Sequence, residues 1–256
     1  MPQHSYFDAN ALTWKTAVIA NGGTVSDARL VLVSNLIEGL KFDGVWAPLD
    51  RLWLFAGENS ASALTDLVGD TLTTATNSPT FTVDRGYTGD GSSTFISGNS
   101  NPTTIGANYV RDSACQFAWD VTGGGSSGAG ALCGGLTGGA AVNGIGPDNS
   151  GTYTYGLNSV NVATGSGVAD GVAGLYLVNR SVSTTVTLDK NGAQVSTLAD
   201  NSFGMQNTNL KALTDGVVTF TSHQVACHGF GGSLTTTLRT ALYNRLRTYM
   251  TAVGVP

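Results

Sequence analysis

From residue 70 to about residue 230 the chain is written as short β-branched and aromatic runs separated by Gly, Asn, Asp, Ser and Pro. Runs this short, punctuated this often, restrict that stretch to strands joined by turns. "ACQFAWDV" shows the pattern well: Cys115, Phe117, Trp119 and Val121 alternate with Gln116, Ala118 and Asp120, the period of a half-buried strand. "GVAGLYLVNR" and "STTVTLDKNGAQVSTLA" give the clearest pairing. The second contains Asn191-Gly192, which suits a type I′ hairpin because both residues tolerate positive φ. "TGGGSSGAGALCGGLTGGAAVNGIG" reads either as a long loop or as tight turns with minimal strands.

Residues 8 to 69 differ in texture and read as helical. In "SDARLVLVSNLIEGLKFDGVW", Ser26 is placed to cap a helix whose Leu30, Val33, Leu36, Ile37 and Leu40 recur at helical spacing until Gly44. A shorter helix is expected in "DANALTWKTAVIA", broken at Asn21-Gly22-Gly23, and "APLDRLWLFAGENSASALTDLVG" comes next as a Pro-initiated turn and apolar run. The chain closes with an amphipathic helix capped by Ser233, its stripe running from Leu234 to Val253 and its Arg239 and Arg247 expected in water. The division expected is residues 1–69, an arm and helical segment, and residues 70–256, a β-sandwich with its closing helix. Residues 1–25 are the expected attachment arm.

Composition narrows the function. Only 11% of residues are charged, Lys and Arg total 12 without forming a run, and the net charge is −5. A nucleic-acid groove or a membrane patch is not expected. No apolar run reaches the length of a membrane span. "MPQHSYFDAN" lacks a basic segment followed by an apolar core, so the expectation is a product that starts in the cytoplasm and reaches the outside by lysis, by a non-Sec route or as part of a particle. Three cysteines, Cys115, Cys133 and Cys227, with no C-x-x-C pair, read as free thiols, Cys115 to Cys133 being the one pairing to check.

Reactive side chains concentrate in "SHQVACHGFGG", residues 222 to 232. In a strand His223, Val225 and Cys227 would share one face, Gln224, Ala226 and His228 the other. Residues four apart then lie about 13 Å from each other at about 3.3 Å per residue, too far to share a zinc at about 2 Å. Cys227 is expected as a small buried apolar residue, and no metal or cofactor is expected. The chain has only two glutamates, Glu38 and Glu58, and no Glu-x-Asp-x-Glu run, so the paired carboxylates of a sandwich glycosidase are missing. "GTYTYGLNS" sets Tyr153 and Tyr155 on one face of a strand with Asn149 and Asn158 nearby. Aromatic planes beside amides suit carbohydrate, making Tyr153, Tyr155 and Asn158 glycan-binding candidates; the alternative is two half-buried tyrosines in a sheet.

"LIEGLKFDGVWAPLDRLWLFA", "SPTFTVDRGYTGDGSSTFI", "NPTT", "GLYLVNR", "TVTLDKNGAQVST" and "GFGGSLTTTLRTALYNRLRTYMTAVG", in that order over residues 8 to 254, resemble bacteriophage and prophage virion surface proteins carrying a concanavalin A-like, laminin G-like module. The resemblance implies a mainly β protein, an antiparallel β-sandwich (jelly roll) with N-terminal helices and a C-terminal amphipathic helix. It also implies a non-enzymatic subunit of the particle surface, a head fibre, spike, tail fibre or decoration protein. Capsid or tail proteins are its expected partners, with self-association and host-surface polysaccharide beside them. A Met opening almost directly onto the module favours a compact spike or decoration subunit. The alternatives are a purely architectural capsid cement and a sandwich-fold polysaccharide depolymerase.

Overall fold

A computed structural model describes residues 7–106, 108–123, 130–136, 142–147, 153–159, 163–165, 172–216 and 219–256. Its helices are α1 (Ala9–Ala20), α2 (Asp27–Phe42), α3 (Ser60–Leu64), α4 (Pro102–Ile105) and α5 (Thr236–Ala252). Its strands begin with β1 (Leu49–Trp53), β2 (Thr74–Thr76), β3 (Thr80–Thr82), β4 (Gly86–Thr88), β5 (Phe95–Ser97), β6 (Ala114–Asp120), β7 (Cys133–Leu136) and β8 (Val142–Pro147). They continue with β9 (Tyr153–Ser159), β10 (Ala163–Gly165), β11 (Gly174–Val182), β12 (Thr185–Lys190), β13 (Ala193–Ala199), β14 (Lys211–Ala212) and β15 (Gln224–Gly231).

All described pairings are antiparallel and build two sheets. One runs β13-β12-β11-β6-β15-β4-β3, with β1 also paired to β15; the other runs β10-β9-β8-β7-β14-β5-β2. The mainly β, antiparallel sandwich that the resemblance implies is the observed fold.

Two apolar clusters make three layers. Trp14, Val33, Ile37, Leu242, Leu246 and Met250 from the helices pack on Phe117, Trp119, Leu175 and Leu177 of the first sheet. Between the sheets lie Tyr87, Ala118, Tyr176, Val178 and Phe230, facing Ile96, Cys133, Ile145, Tyr155 and Leu157. β6 is central in this stack, so all seven of its residues are buried, not half of them as the alternation predicts. Gln116 and Asp120, on the face a lone hairpin would turn to water, lie instead inside the protein, where each needs a polar partner.

The ends of the helices obey local chemistry. The Ser26 side chain accepts from the Arg29 amide, and Gly44, at φ 77°, takes the left-handed conformation after α2. The hairpin turn forms as expected, with Asn191 at φ 50° and Gly192 at φ 77° between β12 and β13.

Four expectations need correction. Residues 8–69 are not helical throughout: Leu49–Trp53 is a strand paired with β15. Five residues with Asp50 and Arg51 among them carry too short a pattern to tell strand from helix, and neighbours decide it. Second, residue 69 does not separate two bodies, because β1 belongs to the first sheet and the N-terminal helices share one apolar cluster with α5 and that sheet. Within the expected arm of residues 1–25, residues 1–6 lie outside the described residues, while α1 buries Ala11, Trp14 and Val18. Third, Thr235, not Ser233, caps α5; Ser233 bonds Ser113. Fourth, Arg239 is buried, its Nε donating to Asp189 Oδ2 at 2.6 Å because α5 packs beside the β12–β13 hairpin, and Arg247 lies 5.8 Å from the Trp119 ring centre. All three cysteines are buried free thiols.

Candidate functional site

The stretch around β15 holds two of the three histidines, and a bulge separates their surroundings. Between Val225 and Cys227 the pairing with β6 shifts by one residue. Ala226 and Cys227 both reach the helix-side cluster, whereas Val225 and Phe230 lie between the sheets. The strict alternation expected for residues 223–228 is therefore broken, since an extra residue reverses the facing of the residues after it. His228 stacks on Trp53 at 5.5 Å with planes 13° apart, and its Nε2 is 3.3 Å from Gln116 Nε2. Burial pulls its pKa down to about 3, so the ring is neutral. Burial likewise pushes the Cys227 thiol up, which leaves it protonated and unreactive.

His223 belongs to a different group. Its Nδ1 lies 2.9 Å from Asp120 Oδ2, the same oxygen that accepts from the Tyr153 hydroxyl at 3.1 Å. Asp120 Oδ1 accepts from the Thr122 amide at 3.0 Å. The Tyr153 ring stacks on Tyr176 at 4.0 Å, and Lys190 Nζ sits 5.0 Å from the Tyr176 ring centre. Desolvation pulls the Lys190 pKa down, opposed by the Asp120 charge. Asp, His, Tyr and Lys are the residue types of acid-base and nucleophilic catalysis, so this cluster is the chemical candidate.

Its wiring works against catalysis. A nucleophilic tyrosine must lose its proton, yet burial first and the adjacent Asp120 charge second push the Tyr153 phenol far above its ordinary value. Both Asp120 oxygens already accept hydrogen bonds, and the carboxylate is fully buried. The cluster instead joins β6 of one sheet to β9 of the other and to the residue entering β15. Sequence proximity groups His223 with Cys227 and His228. Its true partners are 103 and 70 positions away, at Asp120 and, through that carboxylate, Tyr153. The charged residue ending a β6 that is otherwise uncharged is the one local signal.

The three glycan-binding candidates are also corrected. Tyr153, Tyr155 and Asn158 are at most 1% exposed. The tyrosines do share a face, but that face packs against the first sheet, and Tyr155 donates to Ser196 Oγ at 2.8 Å. Asn158, at φ 51°, accepts from the Tyr109 hydroxyl at 2.9 Å and donates to the Arg111 carbonyl at 3.0 Å. Asn149 lies outside the described residues. None of the three offers a plane or an amide to a ligand in this arrangement.

The opposite face of that sheet is different. Gly144 pairs with Gly134 on one side and Gly156 on the other, so three adjacent strands carry no side chain there, and Gly134 and Gly156 are themselves buried. Nearby, half-buried Phe95 and Phe220 have ring centres 6.5 Å apart, and Lys211 Nζ lies 4.7 Å from that of Phe95. Among the described residues no three His, Cys, Asp or Glu side chains group as metal ligands, and no helix is long and apolar enough to cross a membrane.

No protein family matches this chain, and no curated protein matches it in sequence. Its fold is similar to solved β-sandwich structures. A Trypanosoma rangeli sialidase, in complex with 2,3-difluorosialic acid, superposes with a TM-score of 0.59 at 10% identity, covering 87% of this chain and 40% of that one. The receptor binding domain of a botulinum neurotoxin C/D mosaic serotype gives 0.57 at 11% identity, over 78% of this chain and 51% of that one. A botulinum neurotoxin type C structure, whose cell entry is described as dependent on interaction with two ganglioside molecules, gives 0.58 at 11%, over 77% and 51%. This chain thus spans about half or less of these proteins, and the likeness is one of fold.

Proposed function

We propose that this protein is a non-enzymatic β-sandwich subunit displayed on the surface of a bacteriophage particle, as a spike, fibre or decoration component. The observation that carries the non-enzymatic reading is the Asp120 group: Asp120, His223 and Tyr153 are buried, joined by hydrogen bonds through the one carboxylate and arranged to keep the Tyr153 proton in place. The particle location rests on the order of motifs over residues 8 to 254. Electron microscopy of particles labelled with an antibody to this protein tests it. Label at a fixed position on heads or tails is expected; particles free of label, from a lysate that contains the protein, would refute the location. Release of reducing sugar from host polysaccharide by the purified protein would refute the non-enzymatic reading.

A second reading, host-glycan recognition, is favoured by the outer face of the second sheet. Phe95 and Phe220 offer apolar ring surface, and the Lys211 ammonium lies beside it. The ganglioside dependence described for the type C neurotoxin supports glycan as the ligand class. Binding to a glycan array that Phe95→Ser abolishes, with the fold retained, is the expected result.

A further inference from the structure

One pole of the sandwich gathers three large apolar side chains in water: Val110, Val182 and Phe203, 47%, 50% and 53% exposed. They come from three segments that hydrogen bonds hold side by side. The Val110 and Ser113 backbones bond each other in both directions, putting Arg111 and Asp112 at the tip of a turn. Arg111 donates from Nε to Ser202 Oγ at 3.0 Å and from Nη2 to the Ser202 carbonyl at 2.8 Å. The Ser202 amide donates to the Ser183 carbonyl, beside Val182, and the Phe203 amide to that of Asn158. Arg180, fully buried beneath, binds the carbonyls of Ser183 and Asp200. The patch is therefore apolar and preorganised, so little side-chain freedom is lost when it docks.

We propose that this pole is the contact surface for a second copy of this chain, in a twofold arrangement. Its charges are self-complementary: exposed Arg111 adjoins Asp112, so a twofold axis through the turn brings the arginine of each copy to the aspartate of the other. Phe203 of one copy then packs on Val110 and Val182 of the other, forming an aromatic anchor inside a polar rim.

Sedimentation equilibrium across a wide concentration range tests this directly. The wild-type protein is expected to dimerise. Phe203→Asp and, independently, Val182→Asp are expected to raise the dissociation constant at least tenfold while far-UV circular dichroism stays unchanged. Arg111→Glu weakens the dimer and Arg111→Glu with Asp112→Arg restores it. A wild-type monomer at every concentration, or a dimer indifferent to all these changes, overturns the proposal. The particle-surface reading fails separately, by absence of label on particles, and a dimer in solution survives that outcome.

Discussion

The two faces of the first sheet are built on different principles. Toward the helices, β6 and β11 present Phe117, Trp119, Leu175 and Leu177 to aliphatic side chains of α2 and α5. Toward the second sheet the same strands carry Gln116, Asp120 and Arg180 among apolar neighbours, each with its own hydrogen bonds. An apolar contact forgives small errors of position, because dispersion and burial have no direction. Buried polar groups need their partners placed to a few tenths of an ångström. The helix side thus supplies bulk stability, with the buried Arg239–Asp189 pair pinning α5 at one point, and the inter-sheet side fixes how the two sheets sit on each other.

Breaking this contrast at Arg180 is expected to give the largest loss. Its Nε reaches the Leu157 carbonyl in the other sheet at 2.7 Å, and Nη2 reaches Asp200 at 3.0 Å. Arg180→Met strands Asp200 and is expected to cost about 3–5 kcal/mol by urea unfolding; a loss below about 1 kcal/mol would mean that water replaces the guanidinium easily. On the helix side, Leu246→Ala removes a fully buried side chain and is expected to cost about 3 kcal/mol, with the sheet pairing unchanged.

The acid response separates the faces more finely. His228 has a folded pKa of about 3 against an ordinary value of 6.5, so below about pH 6.5 the unfolded chain takes up a proton that the folded chain refuses. Stability therefore falls as pH drops from 6.5 toward 3, at up to about 1.4 kcal/mol per pH unit. His228→Phe, compared with wild type at pH 7 and pH 4.5, is expected to remove about 2–3 kcal/mol of that loss; identical slopes would place a charged histidine in the core. The smallest effect is expected from chelation. EDTA should leave the melting temperature unchanged, and Cys227→Ala should act through packing alone, since the bulge puts Cys227 against the helices and His228 against Trp53.

Legibility in the sequence divides along the same line. Ser26, Gly44 and Asn191-Gly192 act through their own neighbours, and each does what its local chemistry predicts. The stripe of α2 is readable because one helix face meets one apolar layer. β1 is not, because five residues after a proline acquire their state from pairing with β15. Tyr153 and Tyr155 do lie on one face, but nothing in "GTYTYGLNS" says that the face is covered by another sheet. Arg239 needs Asp189, fifty positions earlier, to become an interior residue. The polar group at Asp120 draws on β6, β9 and the entry to β15, and strand periodicity carries no information about which polar residues will meet.

The claim that the catalytic-type residues hold the sheets together is tested most directly by a double-mutant cycle on Asp120→Asn and Tyr153→Phe, read by urea unfolding. Each change is expected to destabilise, and the pair to be coupled by about 1 kcal/mol or more, as contacting groups are. Additive losses, or a stabilised Asp120→Asn variant, would contradict that claim and return the cluster to consideration as a site under functional strain.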